Sequence, residues 1–251
     1  MGLVIFKTLN MRWKLILLAF FISPILQKSS YAQDLNTLTP KEIQEGWQLL
    51  FNGKDLAGWH SYLQSKPGKA WKIENQCIML DRNSETPHAD YADLVTDMEF
   101  DNFELILEWN IAPCANSGVM FYVHESPDYK NTYETGPEMQ IVDLYCSPDT
   151  RVLRHRAGDI YDLVPVDTVW VTEGGRWNEY RIKCEQGHLQ LFQNGHKVTD
   201  TYLWNDEWNE LIAKSKFASM PLFGTFRKGH ISLQGTENGK LLFRNIKIRQ
   251  L

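Results

Sequence analysis

Residues 103–111 read Phe103-Glu104-Leu105-Ile106-Leu107-Glu108-Trp109-Asn110-Ile111, and the period of this stretch decides the fold class. Phe103, Leu105, Leu107, Trp109 and Ile111 share one face of an extended chain, with Glu104 and Glu108 on the other, because successive Cβ atoms of a strand point to opposite sides. The same alternation recurs on both flanks. Met139 and Ile141 oppose Glu138 and Gln140; Val119, Phe121 and Val123 oppose Met120, Tyr122 and His124; Ile231 and Leu233 oppose His230, Ser232 and Gln234. Turn signals separate short strand-like runs: Asn75-Gln76 between 71–74 and 77–80, then Gln186-Gly187 and Asn194-Gly195 within a three-strand meander over 179–201. A strand is also predicted over Trp47–Phe51, closed by Asn52-Gly53. Helical signals are few and short. Thr39-Pro40-Lys41-Glu42 has the form of a capping box with Pro at the first helical position, and Asn205 caps a helix predicted to reach about Ser215. The pattern predicts a sandwich of two antiparallel sheets.

The composition of the 251-residue chain is that of a globular protein, with 43% hydrophobic and 23% charged residues. Nine Trp are available either for an aromatic core or as flat platforms for sugar rings. Lys7, Arg12 and Lys14 precede the apolar run Leu15–Ile22, and Ser30-Tyr31-Ala32 offers small residues at a cleavage point. This reads as a signal peptide over residues 1–32, leaving 33–251 as one domain, with an apolar run too short to span a bilayer. The protein is therefore expected outside the cytoplasm, periplasmic or extracellular. Removing the four basic residues of that leader takes the formal net charge from −5 to about −9, which disfavours nucleic acid as a partner. Cys77, Cys114, Cys146 and Cys184 match no zinc spacing. Cys77 and Cys184 lie in strand-like runs and read as buried thiols, while pairing among the four is open to three connectivities. The oligomeric state is not encoded in any pattern here.

The polar faces carry the candidate chemistry. Glu138 and Gln140 project together from one strand, and Glu108, on another, is a candidate to approach them as the second carboxylate of a glycosidase pair. Such faces, rich in Glu, Gln, Tyr and His, suit the hydroxyls of a carbohydrate. In Arg154-His155-Arg156-Ala157-Gly158 an imidazole lies between two guanidiniums, which would favour its neutral, basic form; Tyr161 and Asp162 follow. Gly118, after Asn116-Ser117, would permit close backbone approach.

Several segments, taken in order, resemble the bacterial 3-keto-disaccharide hydrolase domain family. They are Gly46-Trp47 through Leu50-Phe51-Asn52-Gly53-Lys54-Asp55-Leu56, Asn116-Ser117-Gly118-Val119, Gly136-Pro137-Glu138-Met139-Gln140-Ile141-Val142-Asp143, His155-Arg156-Ala157-Gly158 with Tyr161-Asp162-Leu163, Trp177-Asn178-Glu179-Tyr180-Arg181, and Gly229-His230-Ile231-Ser232-Leu233-Gln234. The resemblance spans nearly all of 33–251. It implies a concanavalin A-like jelly roll of two antiparallel sheets with short peripheral helices. It also implies cleavage of 3-keto-glycosides by elimination and hydration. A C3 ketone acidifies the proton on C2, the enolate expels the C1 substituent, and water adds to the resulting glucal. On this chain the resemblance suggests His155 or Glu138 as base, Tyr161 as acid, Arg156 as enolate stabiliser, and Gln140 and Asp143 as orienting groups. Glu108, Asn116 and Gln234 complete the expected substrate-binding set. The resemblance fixes no cofactor; a divalent metal polarising the ketone would draw on Glu138, Asp143 and His155. Family members usually follow the Leu-Gln stretch with Asp-His-Gly, where this chain has Gly235-Thr236-Glu237, a departure that would shift substrate preference if the loop lines the site. Two other readings stand beside this one: an ordinary glycoside hydrolase using Glu108 and Glu138, and a non-catalytic glycan-binding jelly roll.

Overall fold

The computed structural model describes residues 1–2, 34–82, 85–235 and 239–251. All of the expected leader but its first two residues, and Thr236 and Glu237 of the divergent loop, lie outside the described residues. Thirteen strands run in chain order among them: β1 (Gln48–Leu49), β2 (Trp59–Ser61), β3 (Trp71–Glu74), β4 (Cys77–Asp81), β5 (Leu94–Phe100), β6 (Phe103–Ile111), β7 (Asn116–Val123), β8 (Glu138–Val142), β9 (Asn178–Glu185), β10 (His188–Gln193), β11 (His196–Tyr202), β12 (Gly229–Leu233) and β13 (Lys240–Gln250). They form two antiparallel sheets. The larger runs β11-β10-β9-β6-β13-β4-β3 with β1 also on β13, and the smaller runs β2-β5-β12-β7-β8. This is the concanavalin A-like jelly roll that the alternating pattern and the resemblance led us to expect. Among the described residues three short α-helices lie around it: α1 (Pro40–Gln44), α2 (His88–Tyr91) and α3 (Asp206–Ala213).

The local signals act as their chemistry dictates. Asn75 and Gln76 both adopt positive φ (50° and 60°), as do Asn194 and Gly195 (46° and 81°), which is the twist a two-residue hairpin demands. The Thr39–Glu42 capping box forms, and the Asn205 side chain accepts from Trp208 N–H. The strand expected over Trp47–Phe51 is paired only at Gln48–Leu49. Beyond it the Asn52 side chain accepts from the N–H groups of Lys54 and Asp55 and turns the chain away. The alternation expected in β7 also breaks. Tyr122 adopts φ 56° beside a register shift, so it joins Phe121 in the core, while Val123 moves to the face of Met120.

The core between the sheets holds Phe103, Leu105, Leu107 and Trp109 of β6, with Phe121, Met139, Ile141 and Ile231 facing them from the smaller sheet. Trp47, Trp59, Trp71, Trp109 and Trp208 are buried, so most tryptophans serve the packing rather than a sugar. Cys77 and Cys184 are buried free thiols, and Cys114 is joined to Cys146 across a Cα separation of 4.9 Å. Among the described residues no helix is long and apolar enough to cross a membrane.

Candidate active site

The site is built on the outer face of the smaller sheet, at β7 and β8. Glu138 and Gln140 point away from the core because their neighbours Met139 and Ile141 point into it. Gly118 pairs with Gln140, and a Cβ added there would fall 1.7 Å from Glu138 Oε1. Only glycine lets the Glu138 carboxyl lie flat against β7. With its nitrogen turned inward, the Gln140 amide donates to Ser117 O at 2.8 Å and to Glu138 Oε1 at 3.2 Å. Asn116 Nδ2 donates to Asp149 Oδ2 at 3.1 Å.

The other edge of β8 is covered by residues 158–161. Gly158 N–H donates to Gln140 O at 2.8 Å and Tyr161 N–H to Glu138 O at 3.0 Å, which sets the Tyr161 ring beside Glu138. Gly158 sits at φ 84°, where a Cβ would meet Gln193 Nε2 at 1.9 Å. That amide crosses from the larger sheet to donate to Ala157 O at 2.6 Å. Buried Tyr180 makes a second crossing, its hydroxyl donating to Gln140 O at 2.7 Å. The floor is thus tied through the core to the opposite sheet.

Asp162 organises the far side. It accepts from Lys216 N–H at 2.7 Å, lies 3.2 Å from His155 Nε2 and pairs with Arg154 Nη2 at 3.4 Å. Holding the Lys216 backbone there carries its ammonium to 4.0 Å from the centre of the Tyr161 ring. His155 stacks behind the same ring at 4.2 Å, with Nδ1 2.8 Å from Asp149 Oδ1. The Tyr161 hydroxyl donates toward Asp149 at 3.3–3.4 Å.

Together these groups close one end of a cleft of about 990 Å³. Glu138, Gln140, Asn116, Tyr161, Lys216 and Gln234 line this end. Glu138 is 6% exposed. Burial raises its carboxyl to about 8, Asp93 and Asp149 push the same way, and Lys216 opposes them. Burial draws the Lys216 ammonium down, against the pull of Glu138, Asp162 and Asp149. Burial, with Asp149 and Glu138 nearby, holds the Tyr161 phenol firmly protonated. Asp93, raised by burial, accepts from Thr132 Oγ1 and from Gly235 N–H at 2.8 Å.

Of the residues expected from sequence, Glu138, Gln140, Asn116, Tyr161 and Gln234 converge on this cleft. The others do not. Glu108 lies on the outer face of the larger sheet, bound to Arg244 Nε and Asn245 Nδ2 at 2.7 Å each, so it forms no pair with Glu138. His155 sits behind Tyr161 with both ring nitrogens on carboxylates, and it shares Asp162 Oδ1 with the Arg154 guanidinium. Arg156 is spent on the carbonyls of Leu153 and Val166, away from the cleft. Asp143 accepts from Cys114 N–H at 2.8 Å and lies 3.0 Å from Cys146 Sγ, bracing the disulfide loop. Glu138, Asp143 and His155 therefore do not converge as a metal-ligand set. The one convergent group among the described residues is Cys114, Asp143 and Cys146, whose sulfurs are bonded to each other. Sequence reasoning missed Lys216, Asp149 and Asp93. Asp149 and Lys216 arrive on short 3-10 turns, Pro148–Arg151 and Lys216–Ser219, and Asp93 just before β5, where no period marks them.

Residues 46–249 match the model of the 3-keto-alpha-glucoside-1,2-lyase-like domain. The chain belongs to this family. A curated relative, the 3-keto-disaccharide hydrolase of Bacteroides thetaiotaomicron, is 28% identical over 89% of this chain and 85% of its own length. A crystal structure of a Parabacteroides distasonis protein, provisionally named a glycosyl hydrolase, superposes with a TM-score of 0.79 at 29% identity, covering 86% of this chain and 99% of that one. A second such protein of that organism gives 0.62 at 27% identity over 82% and 99%. This member of the 3-keto-glucoside lyase-like family is accordingly a carbohydrate-active, glycoside-cleaving enzyme, and the cleft at Glu138 is its candidate active site.

Proposed function

We propose that the protein cleaves 3-keto-glycosides by elimination and hydration, with Glu138 as the base. The observation that carries this is a buried carboxyl, raised to about 8, sharing its cleft with an ammonium and a protonated phenol. Glu138 as carboxylate takes the C2 proton. The electron pair moves onto the C3 oxygen, where the Lys216 ammonium stabilises the enolate in place of the Arg156 expected from sequence. The enolate then collapses, C1=C2 forms, and the C1–O bond breaks toward the leaving group, which the Tyr161 hydroxyl protonates. Water adds at C1 of the enone and gives its proton to the Tyr161 phenolate, while Glu138 returns its own proton to C2, which restores both groups. Gln140 fixes the Glu138 carboxyl. Asn116 and Gln234 are placed for sugar hydroxyls.

The test is aglycone release from paired glucosides, native and 3-keto, with and without a chelator. Release from the 3-keto substrate alone supports elimination. Release from the native glucoside at a similar rate would replace it with ordinary hydrolysis, and binding without release from either would leave a glycan-binding module. Chelator sensitivity would return a metal to the mechanism. We further propose export, with 33–251 as the mature domain; the Cys114–Cys146 disulfide supports an oxidising compartment. Mass spectrometry of the exported protein should find Gln33 at its N-terminus, and an intact leader would refute that.

A further inference from the structure

Asp149 does not line the cleft, yet its carboxylate touches three residues of the site. Asn116 Nδ2 donates to its Oδ2 at 3.1 Å, His155 Nδ1 lies 2.8 Å from its Oδ1, and the Tyr161 hydroxyl reaches both oxygens at 3.3–3.4 Å. It arrives on a single 3-10 turn, Pro148–Arg151, whose preceding Ser147 makes no side-chain cap. A lone turn of this kind has little of its own to hold it. Here it is tied from both sides. The Cys114–Cys146 disulfide joins the chain just before Asp149 to the chain just before Asn116. Asp143 accepts from Cys114 N–H at 2.8 Å, and its own N–H donates to Ala115 O at 3.0 Å. Thr150 Oγ1 closes the turn on Ser147 O at 2.8 Å. A surface carboxylate is thereby fixed against a phenol instead of swinging in solvent.

That contact matters most at one stage. Once Tyr161 has protonated the leaving group it is a phenolate, and Glu138, having taken the C2 proton, is neutral. Asp149 is then the carboxylate in contact with the phenolate oxygen. A like charge so close makes the phenolate hold a returning proton more tightly. After burial, Asp149 does most to keep the Tyr161 phenol protonated, ahead of Glu138 and Asp162. The groups on the faces of the ring are otherwise engaged. Lys216, 4.0 Å from the ring centre, meets the C3 oxygen, and His155, stacked at 4.2 Å, has its nitrogens on Asp149 and Asp162.

We infer that Asp149 is a positioning residue for the second half of the reaction: through its contact with Tyr161 it makes the phenolate the base that draws a proton from the water adding at C1. The inference rests on the elimination and hydration proposed for the Glu138 cleft. In the hydration step the water oxygen bonds to C1 as its proton passes to the phenolate oxygen. The C1=C2 electron pair moves onto the C3 oxygen, then returns to take the Glu138 proton at C2. Without the Asp149 charge, elimination keeps its acid, but the phenolate left behind is a weaker base and the enone waits for water.

The experiment follows wild type and Asp149→Asn on one 3-keto-glucoside, reading aglycone release and the ultraviolet absorbance of the conjugated enone together. Asparagine keeps the shape of the side chain and removes its charge, and circular dichroism checks the fold. In the variant, hydration should fall roughly tenfold relative to aglycone release, so that enone builds up, since one unit of proton affinity is a tenfold change. In parallel, NMR of ring-labelled tyrosine, with Tyr161→Phe to assign the signal, should find Tyr161 ionising at lower pH in Asp149→Asn. An equal fall in both rates, or an unmoved ionisation, would make Asp149 a structural support only and overturn the inference. Wild type that releases aglycone but hydrates no enone would also overturn it while sparing the elimination. If wild type releases nothing, the elimination reading fails on its own, and the enone is supplied directly. Hydration that Asp149→Asn slows roughly tenfold then upholds the role of Asp149, and no hydration by wild type refutes it.

Discussion

The two outer faces of the sandwich start from the same pattern and end as opposites. On β6, Glu104 and Glu108 alternate with core residues, as Glu138 and Gln140 do on β8. Yet Glu104, 1% exposed, lies between Arg181 and Arg249, and Glu108 is held by Arg244. Those carboxylates have their charge matched by guanidiniums from neighbouring strands of the same sheet. Glu138 is also buried, but residues 158–161, Lys216 and the Asp93 region are layered over it, and only one ammonium faces three carboxyls. Pairing within a sheet neutralises a carboxylate and fixes it. Covering a sheet with loops desolvates a carboxyl without fully compensating it, and leaves it reactive.

The sharpest way to break this contrast is to remove each carboxylate in turn. Glu138→Gln should lower kcat on the 3-keto substrate by roughly 10²–10⁴-fold with the fold intact by circular dichroism. Glu108→Gln should stay within about threefold of wild type, because changes away from a site seldom exceed about 0.5 kcal/mol. Equal losses in both would erase the distinction. Lys216→Met should cost about 10²–10³-fold, mainly in kcat, if the ammonium meets charge that appears only in the transition state. A rise in KM alone would make Lys216 a ground-state contact.

Titration sharpens the same comparison. The Glu138 carboxyl sits at about 8 in the folded protein, above its ordinary 4.5, so the folded state holds this proton longer than the unfolded one. Wild type should therefore lose stability relative to Glu138→Gln as pH rises from about 4.5 through 8, and the loss should be complete near pH 9. The gap, of the order of a few kcal/mol, is read as a melting-temperature difference that opens from pH 4 to pH 9. No gap at pH 9 would mean the carboxyl is not desolvated as described. In parallel, kcat/KM should climb with pH toward a plateau with a midpoint near 8. The smallest effect is expected at His155. His155→Ala removes the support behind Tyr161 without touching substrate, so kcat should fall about tenfold with the pH midpoint unmoved. A shifted midpoint would place the imidazole in the proton transfer itself.

The residues that were legible in the sequence share one property. Glu138, Gln140 and Asn116 lie on strands, and Gln234 directly follows one, so a two-residue period assigns their faces. Gly118 marks the place where the floor is thin, and Tyr161 lies in a segment that runs beside β8 as an added edge. His155 and Arg156 were misjudged because adjacency along the chain was read as adjacency in space. In the folded protein the imidazole is bracketed by Asp149 and Asp162, from six residues before it and seven after, while the Arg156 guanidinium turns to backbone carbonyls.

The sequence by itself determined the two-sheet antiparallel sandwich, two capped short helices, the hairpin turns and the strand face on which the site is built, since each follows from local periodicity and turn chemistry. Only the tertiary structure decided that Glu108 is a paired surface charge and Glu138 a desolvated one. Only the tertiary structure brought Lys216 to Tyr161, through a hydrogen bond between residues 54 positions apart. The reason is physical. Secondary structure answers to neighbours a few residues away, whereas the protonation of a carboxyl answers to whatever the whole chain packs around it.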